Sequence, residues 1–251
     1  GIQTYELLNE RVTQRVFVKT ATLPDAAEMK DINTLEFDVT VNCPHRNVFA
    51  CSEWDRIARI EVCTSTTAEP CSKRRELVRW ITPYWRRGER RWIMDASALL
   101  GYIKEGGLQY FRLEMGPSWE RATSRDARIA LRLSKSTESS SAVGAIRAFT
   151  GGGFGDKYND REPFVFTLPP QASKVSLVSI LSGHGQDSNT NCAEWCDHRH
   201  QFEINGTALE EIRHEGNRIG SADGCGWAAA QGASPGQWGN WAPERAYWCP
   251  G

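Results

Sequence analysis

"LEFDVTVN", residues 35–42, alternates without a break. Leu35, Phe37, Val39 and Val41 fall on one side, and Glu36, Asp38, Thr40 and Asn42 on the other. Successive side chains of an extended chain point to opposite faces, so this spacing predicts a strand with one dry and one wet face. The pattern returns further along the chain. "ARIALRLS" (127–134) turns Ala127, Ile129, Leu131 and Leu133 inward. "EPFVFTLP" (162–169), "KVSLVSILSG" (174–183) and "RHQFEING" (199–206) read as further short strands bounded by Pro, Gly or Asn. Half-buried strands of this length suit antiparallel sheets. Helix is expected only as two-turn pieces in "DASALLGYIKEG" (95–106), with Asp95 or Ser97 near its N-cap, and in "TALEEIRHEG" (207–216).

The serine-rich "SKSTESSSAVG" (134–144) marks a boundary. It divides the chain into an N-terminal domain, 1–136, and a C-terminal domain, 137–251, both of ordinary domain size. Many short strands with turn signals make each of them a β-sandwich.

Net charge is −1, which gives no general attraction to nucleic acid or to an anionic membrane. The arginine cluster "WRRGERRW" (85–92) reads as a solvated hairpin tip. No apolar run reaches the ~18 residues of a membrane span. The opening "GIQTYELLNERV" lacks the basic end and apolar core of a signal peptide, so a secreted and already processed chain is expected.

The 8 cysteines fall in pairs: Cys43 and Cys51, Cys63 and Cys71, Cys192 and Cys196, Cys225 and Cys249. An even count without zinc-ribbon spacing argues for disulfides and an oxidising compartment. His198 and His200 have the spacing of a one-face metal pair. The chain has only 5 histidines, so a structural or hydrogen-bonding role is expected and no metal is required. Asn205-Gly206-Thr207 is a glycosylation acceptor motif and a surface-turn signal.

Two stretches join cysteine, acid and tryptophan. "CPHRNVFACSEWDR" (43–56) sets Cys51 just before Trp54 and Asp55, and "NCAEWCDHRH" (191–200) encloses Glu194 and Trp195 between Cys192 and Cys196. A carboxyl against an aromatic wall loses water and its pKa rises, which lets one acid donate a proton while another stays ionised. Tryptophan faces also pack against the C–H edges of sugar rings. The C-terminal stretch adds Trp227, Trp238, Trp241 and Trp248 among Gly and Pro residues. Asp55, Glu194 and Glu114, which ends "LQYFRLE", are therefore the candidate acids for carbohydrate chemistry or binding.

"CSEWDRIARIEV" (51–62), "ITPYW" (81–85), "CAEWC" (192–196) and "SPGQWGNWAPERAYWCPG" (234–251) together resemble the bacterial peptide-N-glycosidase F family. The resemblance runs from about Leu35 to Gly251, with the motifs in the same order. It implies an all-β fold of two antiparallel jelly-roll β-sandwiches packed side by side, with an active site where they meet. It implies hydrolysis of the asparagine–N-acetylglucosamine linkage of an N-glycoprotein, turning Asn into Asp, with no cofactor. By resemblance, Asp55 matches the essential aspartate, Glu194 the second-domain glutamate, and Glu114 a third acid. Arg56 and Arg245 match supporting arginines, and Trp54, Trp241 and Trp248 match aromatic residues lining the site. His184, in "SGHG", stands where the family often has a tryptophan, and "MGPSW" after Glu114 departs from the family pattern. The family's chain continues past "WCPG", so strands or a second polypeptide outside this sequence are expected to complete the second sandwich. The rival functions are a non-catalytic glycan-binding sandwich and a copper monooxygenase, for which so few histidines supply too few ligands.

Overall fold

A computed structural model describes residues 1–43, 56–64, 71–82, 88–116, 125–137, 140–153, 155–181 and 198–214. Eight long strands come first: β1 Gln3–Val12, β2 Val16–Asp25, β3 Thr34–Cys43, β4 Ile57–Cys63, β5 Arg74–Ile81, β6 Gly88–Asp95, β7 Gly106–Glu114 and β8 Arg125–Ser134. They form two antiparallel sheets in the orders β1-β8-β3-β6 and β2-β7-β4-β5. The pairings β1 with β8, β2 with β7, β3 with β6 and β4 with β5 are those of one long hairpin folded back on itself. That is jelly-roll topology. The all-β, antiparallel jelly-roll expectation is borne out here.

The alternation read from the sequence lines the space between the sheets. Leu35, Phe37 and Val39 on β3 and Leu131 and Leu133 on β8 have no exposed surface. They face Ile60 and Val62 on β4 and Phe111 and Leu113 on β7 within a single core. Phe37 meets Phe111 edge to face, with ring centroids 6.4 Å apart. Trp80 on β5 and Trp92 on β6 close one margin of the core at 6.3 Å.

Where the alternation breaks, the register shows why. A shift between Glu6 and Leu8 leaves both Leu7 and Leu8 buried on β1. A second shift, between Ile60 and Glu61 on β4, does the same for Leu77 and Val78 on β5. Each is a bulge, an extra residue that reverses the inward phase of the strand.

A short helix, α1 (Ala26–Met29), follows β2, and Asp25 caps it by accepting from the backbone N–H groups of Ala27 and Glu28 at 2.9 Å. The expected helix near residue 97 is a 3-10 helix, Ser97–Ile103. Asp95 Oδ1 accepts from the Ser97 N–H at 2.8 Å, and Ser97 Oγ in turn accepts from the Leu35 N–H at 3.0 Å. Half of the arginine cluster is strand rather than hairpin tip. Trp92 is buried on β6, and Arg91 reaches across to Asp38 at 2.6 Å.

The serine-rich segment is fastened to this sandwich. Ser136 exchanges two hydrogen bonds of 2.7 Å with the Asn33 side chain. Lys104 Nζ donates to the Ile32 carbonyl at 2.7 Å and to Ser141 Oγ at 2.5 Å. Burial lowers the Lys104 pKa.

The chain divides into two compact units, 1–150 with 163–180, and 151–162 with 181–251. Within 163–180, the strands expected in "EPFVFTLP" and in the described part of "KVSLVSILSG" are not formed. Phe164, Phe166 and Leu168 stay exposed.

The second unit carries β9 (His198–His200), β10 (Glu203–Ile204), β11 (Thr207–Ala208) and β12 (Ile212–His214). β10 and β11 form a hairpin, and β9 pairs with β12. Between β10 and β11 the turn residues Asn205 and Gly206 have φ of 51° and 77°. This is the left-handed pair that Asn-Gly favours in tight hairpins, and it matches the surface-turn reading. The helix expected in "TALEEIRHEG" is replaced by β11 and β12. So short an amphipathic segment is marginal as a helix in water, and the preceding turn aims it antiparallel to β10.

Candidate functional site

Four strand ends come together at one end of the β2-β7-β4-β5 sheet: Val16 opposite Glu114, Arg59 opposite Glu114, and Ile57 opposite Ile81. Two of the residues read as site residues from the sequence are here. Arg56 immediately precedes β4, and Glu114 closes β7, two strands that are hydrogen-bonded neighbours. Asp55, Glu194, Arg245, Trp54, Trp241, Trp248 and His184 lie outside the described residues.

The outward face of the sheet explains how Glu114 is held. Arg112 Nη1 donates to Glu114 Oε2 and to Glu61 Oε2, both at 2.6 Å. Arg59 Nε lies 3.7 Å from Glu114, and Arg59 Nη1 lies 3.8 Å from Glu76. Arg79 grips Glu76 through two bonds, of 2.6 and 2.9 Å, and Arg74 Nε approaches Glu61 to 3.1 Å. Acids and arginines thus alternate across β7, β4 and β5, each carboxylate touching two guanidinium groups. Burial works to lower the Arg112 pKa, but its bonds to Glu114 and Glu61 outweigh that, and the net shift is upward. A carboxylate braced in this way has its direction fixed before any ligand arrives, which is what a positioned acid requires.

Arg56 is held through its backbone. Its N–H donates to Thr82 Oγ1 at 2.8 Å, and its carbonyl accepts from the Thr82 N–H at 2.8 Å. Thr82 is almost fully buried. Beside this clamp the Met115 N–H donates to the Arg15 carbonyl at 2.7 Å, tying the end of β7 to the turn before β2. The backbone at Gly116 has φ of 128°, and a Cβ there would lie 3.3 Å from Arg15 Nη1 and 3.6 Å from Arg56 Cβ. Glycine is therefore needed where the chain leaves Glu114.

Reading the sequence did not single out Thr82, Arg59 or Arg112. Thr82 lay inside the quoted "ITPYW". The partners of Glu114 carried a weaker signal, an arginine two residues before an acid on one strand: Arg112 before Glu114 and Arg59 before Glu61.

Cys63 and Cys71 are joined, bridging β4 to the turn before β5, and Cys43 is also disulfide-bonded. Cys51, Cys192, Cys196, Cys225 and Cys249 lie outside the described residues. Among the described residues no group of three or more His, Cys, Asp or Glu side chains is arranged to hold a metal ion. Among the same residues no helix is long and apolar enough to cross a membrane.

An all-β jelly roll with braced acids and arginines at one end defines a class of sandwich proteins, and comparison narrows it. Residues 154–251 match the family described as peptide-N-glycosidase F, C-terminal. The chain is 28% identical over 250 residues to peptide-N(4)-(N-acetyl-β-D-glucosaminyl)asparagine amidase F of Elizabethkingia miricola, spanning 92% of this chain and 64% of that protein. A crystal structure of peptide-N(4)-(N-acetyl-β-D-glucosaminyl)asparagine amidase superposes with a TM-score of 0.61 at 20% identity, covering 100% of this chain and 81% of that one. The glycosylasparaginase PNGase F of Flavobacterium meningosepticum gives 0.58 at 20% identity, with coverages of 100% and 80%. PNGF-II shares the fold more distantly, with a TM-score of 0.52 at 10% identity, covering 100% of this chain and 56% of that one. The resemblance to peptide-N-glycosidase F read from the motifs is therefore borne out.

Proposed function

We propose that this chain is a peptide-N4-(N-acetyl-β-glucosaminyl)asparagine amidase. The observation that carries the reading is the similarity to the Elizabethkingia amidase over 92% of the chain, taken with the four ordered motifs. The substrate is the N-linked glycan of a glycoprotein. Water adds across the side-chain amide of the glycosylated asparagine. Its oxygen joins the carbonyl carbon, the C–N bond breaks, and a proton passes to the departing nitrogen. The peptide keeps an aspartate and the glycan leaves as a glycosylamine.

Asp55 acts as principal base or nucleophile at the amide, and Glu194 orients water or protonates the leaving nitrogen. Glu114 is the third acid, held by Arg112 and by the nearby Arg59. Arg56 and Arg245 support the negative charge that develops on the carbonyl oxygen. Trp54, Trp241 and Trp248 bind the sugar, together with His184, which stands where the family often has a tryptophan. We place the chain in an oxidising compartment. The Cys63–Cys71 disulfide supports the compartment.

The test is release of glycan from a glycopeptide, read by mass as the Asn-to-Asp change. Asp55→Asn keeps shape and removes both charge and proton acceptance. It should lower turnover by at least ~10³, the scale of an essential acid–base group. Binding of the sugar core should change far less. Wild-type turnover by this variant would sink the catalytic assignment of Asp55, and a wild-type chain that binds the sugar core but releases no glycan would return it to the glycan-binding reading.

A further inference from the structure

We infer that Thr82 is a positioning residue for this reaction, acting through the backbone of Arg56. The inference rests on the reading of Asp55 and Arg56 as site residues. Its structural ground is the way the β4–β5 ladder ends. The last register pair is Ile57 with Ile81, so Arg56 and Thr82 stand where the next pair would be. In an antiparallel ladder every second opposed pair exchanges two N–H···O=C bonds. One of the two is present, from the Thr82 N–H to the Arg56 carbonyl at 2.8 Å. The other is made differently, with the Arg56 N–H donating to the Thr82 hydroxyl at 2.8 Å.

Thr82 precedes Pro83. A residue before proline is restricted in its backbone, and the strand stops here. The side chain therefore completes a bond that the ladder would otherwise make with a carbonyl. Thr82 is 1% exposed, so the accepting hydroxyl is shielded from competing water, and its loss would take this partner from the Arg56 N–H. The Arg56 N–H belongs to the planar peptide unit shared with Asp55. A hydroxyl that holds this N–H holds the covalent junction of the two residues. Buried threonine is commonly a packing residue. Here the hydroxyl, rather than the methyl, makes the described contact with the site.

Thr82→Val keeps the shape and removes the acceptor, whereas Thr82→Ser keeps the acceptor and removes the methyl group. Glycopeptide hydrolysis by Thr82→Val should show kcat reduced about 10- to 100-fold, the range set by small misplacement of reacting groups. KM should change little, and Thr82→Ser should recover most of the rate. In amide hydrogen exchange followed by NMR, the Arg56 N–H should exchange faster in Thr82→Val than in wild type or Thr82→Ser. Wild-type kcat in Thr82→Val overturns the inference. So does a loss that Thr82→Ser shares equally, because that would assign the effect to packing. Failure of the functional reading is distinguishable: the wild-type chain would then release no glycan, and Arg56 exchange alone would decide whether the hydroxyl holds the junction.

Discussion

Residues 35–42 and 162–169 carry the same alternation and end in opposite states. In the first, Leu35, Phe37 and Val39 are sealed between two sheets. In the second, Phe164, Phe166 and Leu168 are roughly half exposed and no strand forms. The difference lies in their neighbours. β3 is a central strand, bonded to β6 on one side and β8 on the other, and β4 and β7 supply the facing wall. Period-two alternation states which side of a strand would be dry. It does not provide the second strand that a ladder needs or the second sheet that a core needs.

The largest expected effect tests that contrast directly. Phe37→Ala should destabilise the protein by about 3–5 kcal/mol in urea unfolding, the cost of emptying a packed aromatic site. Phe166→Ala should stay within about 0.5 kcal/mol, as surface substitutions do. Equal losses at the two positions would break the comparison, because they would show residue 166 to be packed in solution.

A smaller effect is expected on the outer face of the second sheet. Glu61→Gln weakens charge-assisted bonds to Arg112 and Arg74. It should cost about 1–3 kcal/mol by the same measurement. A neutral result would show that this ladder of acids and arginines contributes nothing to stability.

The smallest belongs to Asp38, whose bond to Arg91 holds its carboxyl below the usual range. Arg91 is well exposed, so Asp38→Asn should cost less than about 1 kcal/mol near neutral pH. A depressed folded-state pKa contributes stability that is present above the unfolded value and lost as pH falls through the folded one. The gap between wild type and Asp38→Asn should therefore close on acidification through that range. A gap that persisted at low pH would assign the effect to shape rather than charge.

The sandwich was legible because its signal is local. The inward residues of β3 and β8 were each named from alternation alone, and the bulges at Leu7 and Leu77 disturb that phase only where an extra residue is inserted. Asp55 and Glu194 were singled out for another reason: acid, tryptophan and cysteine stand together in one short window, a chemical pattern that can be noticed without coordinates. Residues 207–216 were misread as helix because a short segment takes its structure from the turn that aims it and the strands it meets. Glu114 could be named from the sequence, but not its brace. Arg112 shares its strand, whereas Arg59 comes from β4 and Glu61 joins them across the sheet, so register decides their meeting. Thr82 and Arg56 are 26 positions apart, and nothing in either local sequence joins them. Composition and spacing determined which residues can do chemistry and which face of a strand is dry. Only the tertiary fold decided which arginine meets which acid and which hydroxyl completes a broken ladder, because those bonds form between strands that chain topology, not sequence distance, brings side by side.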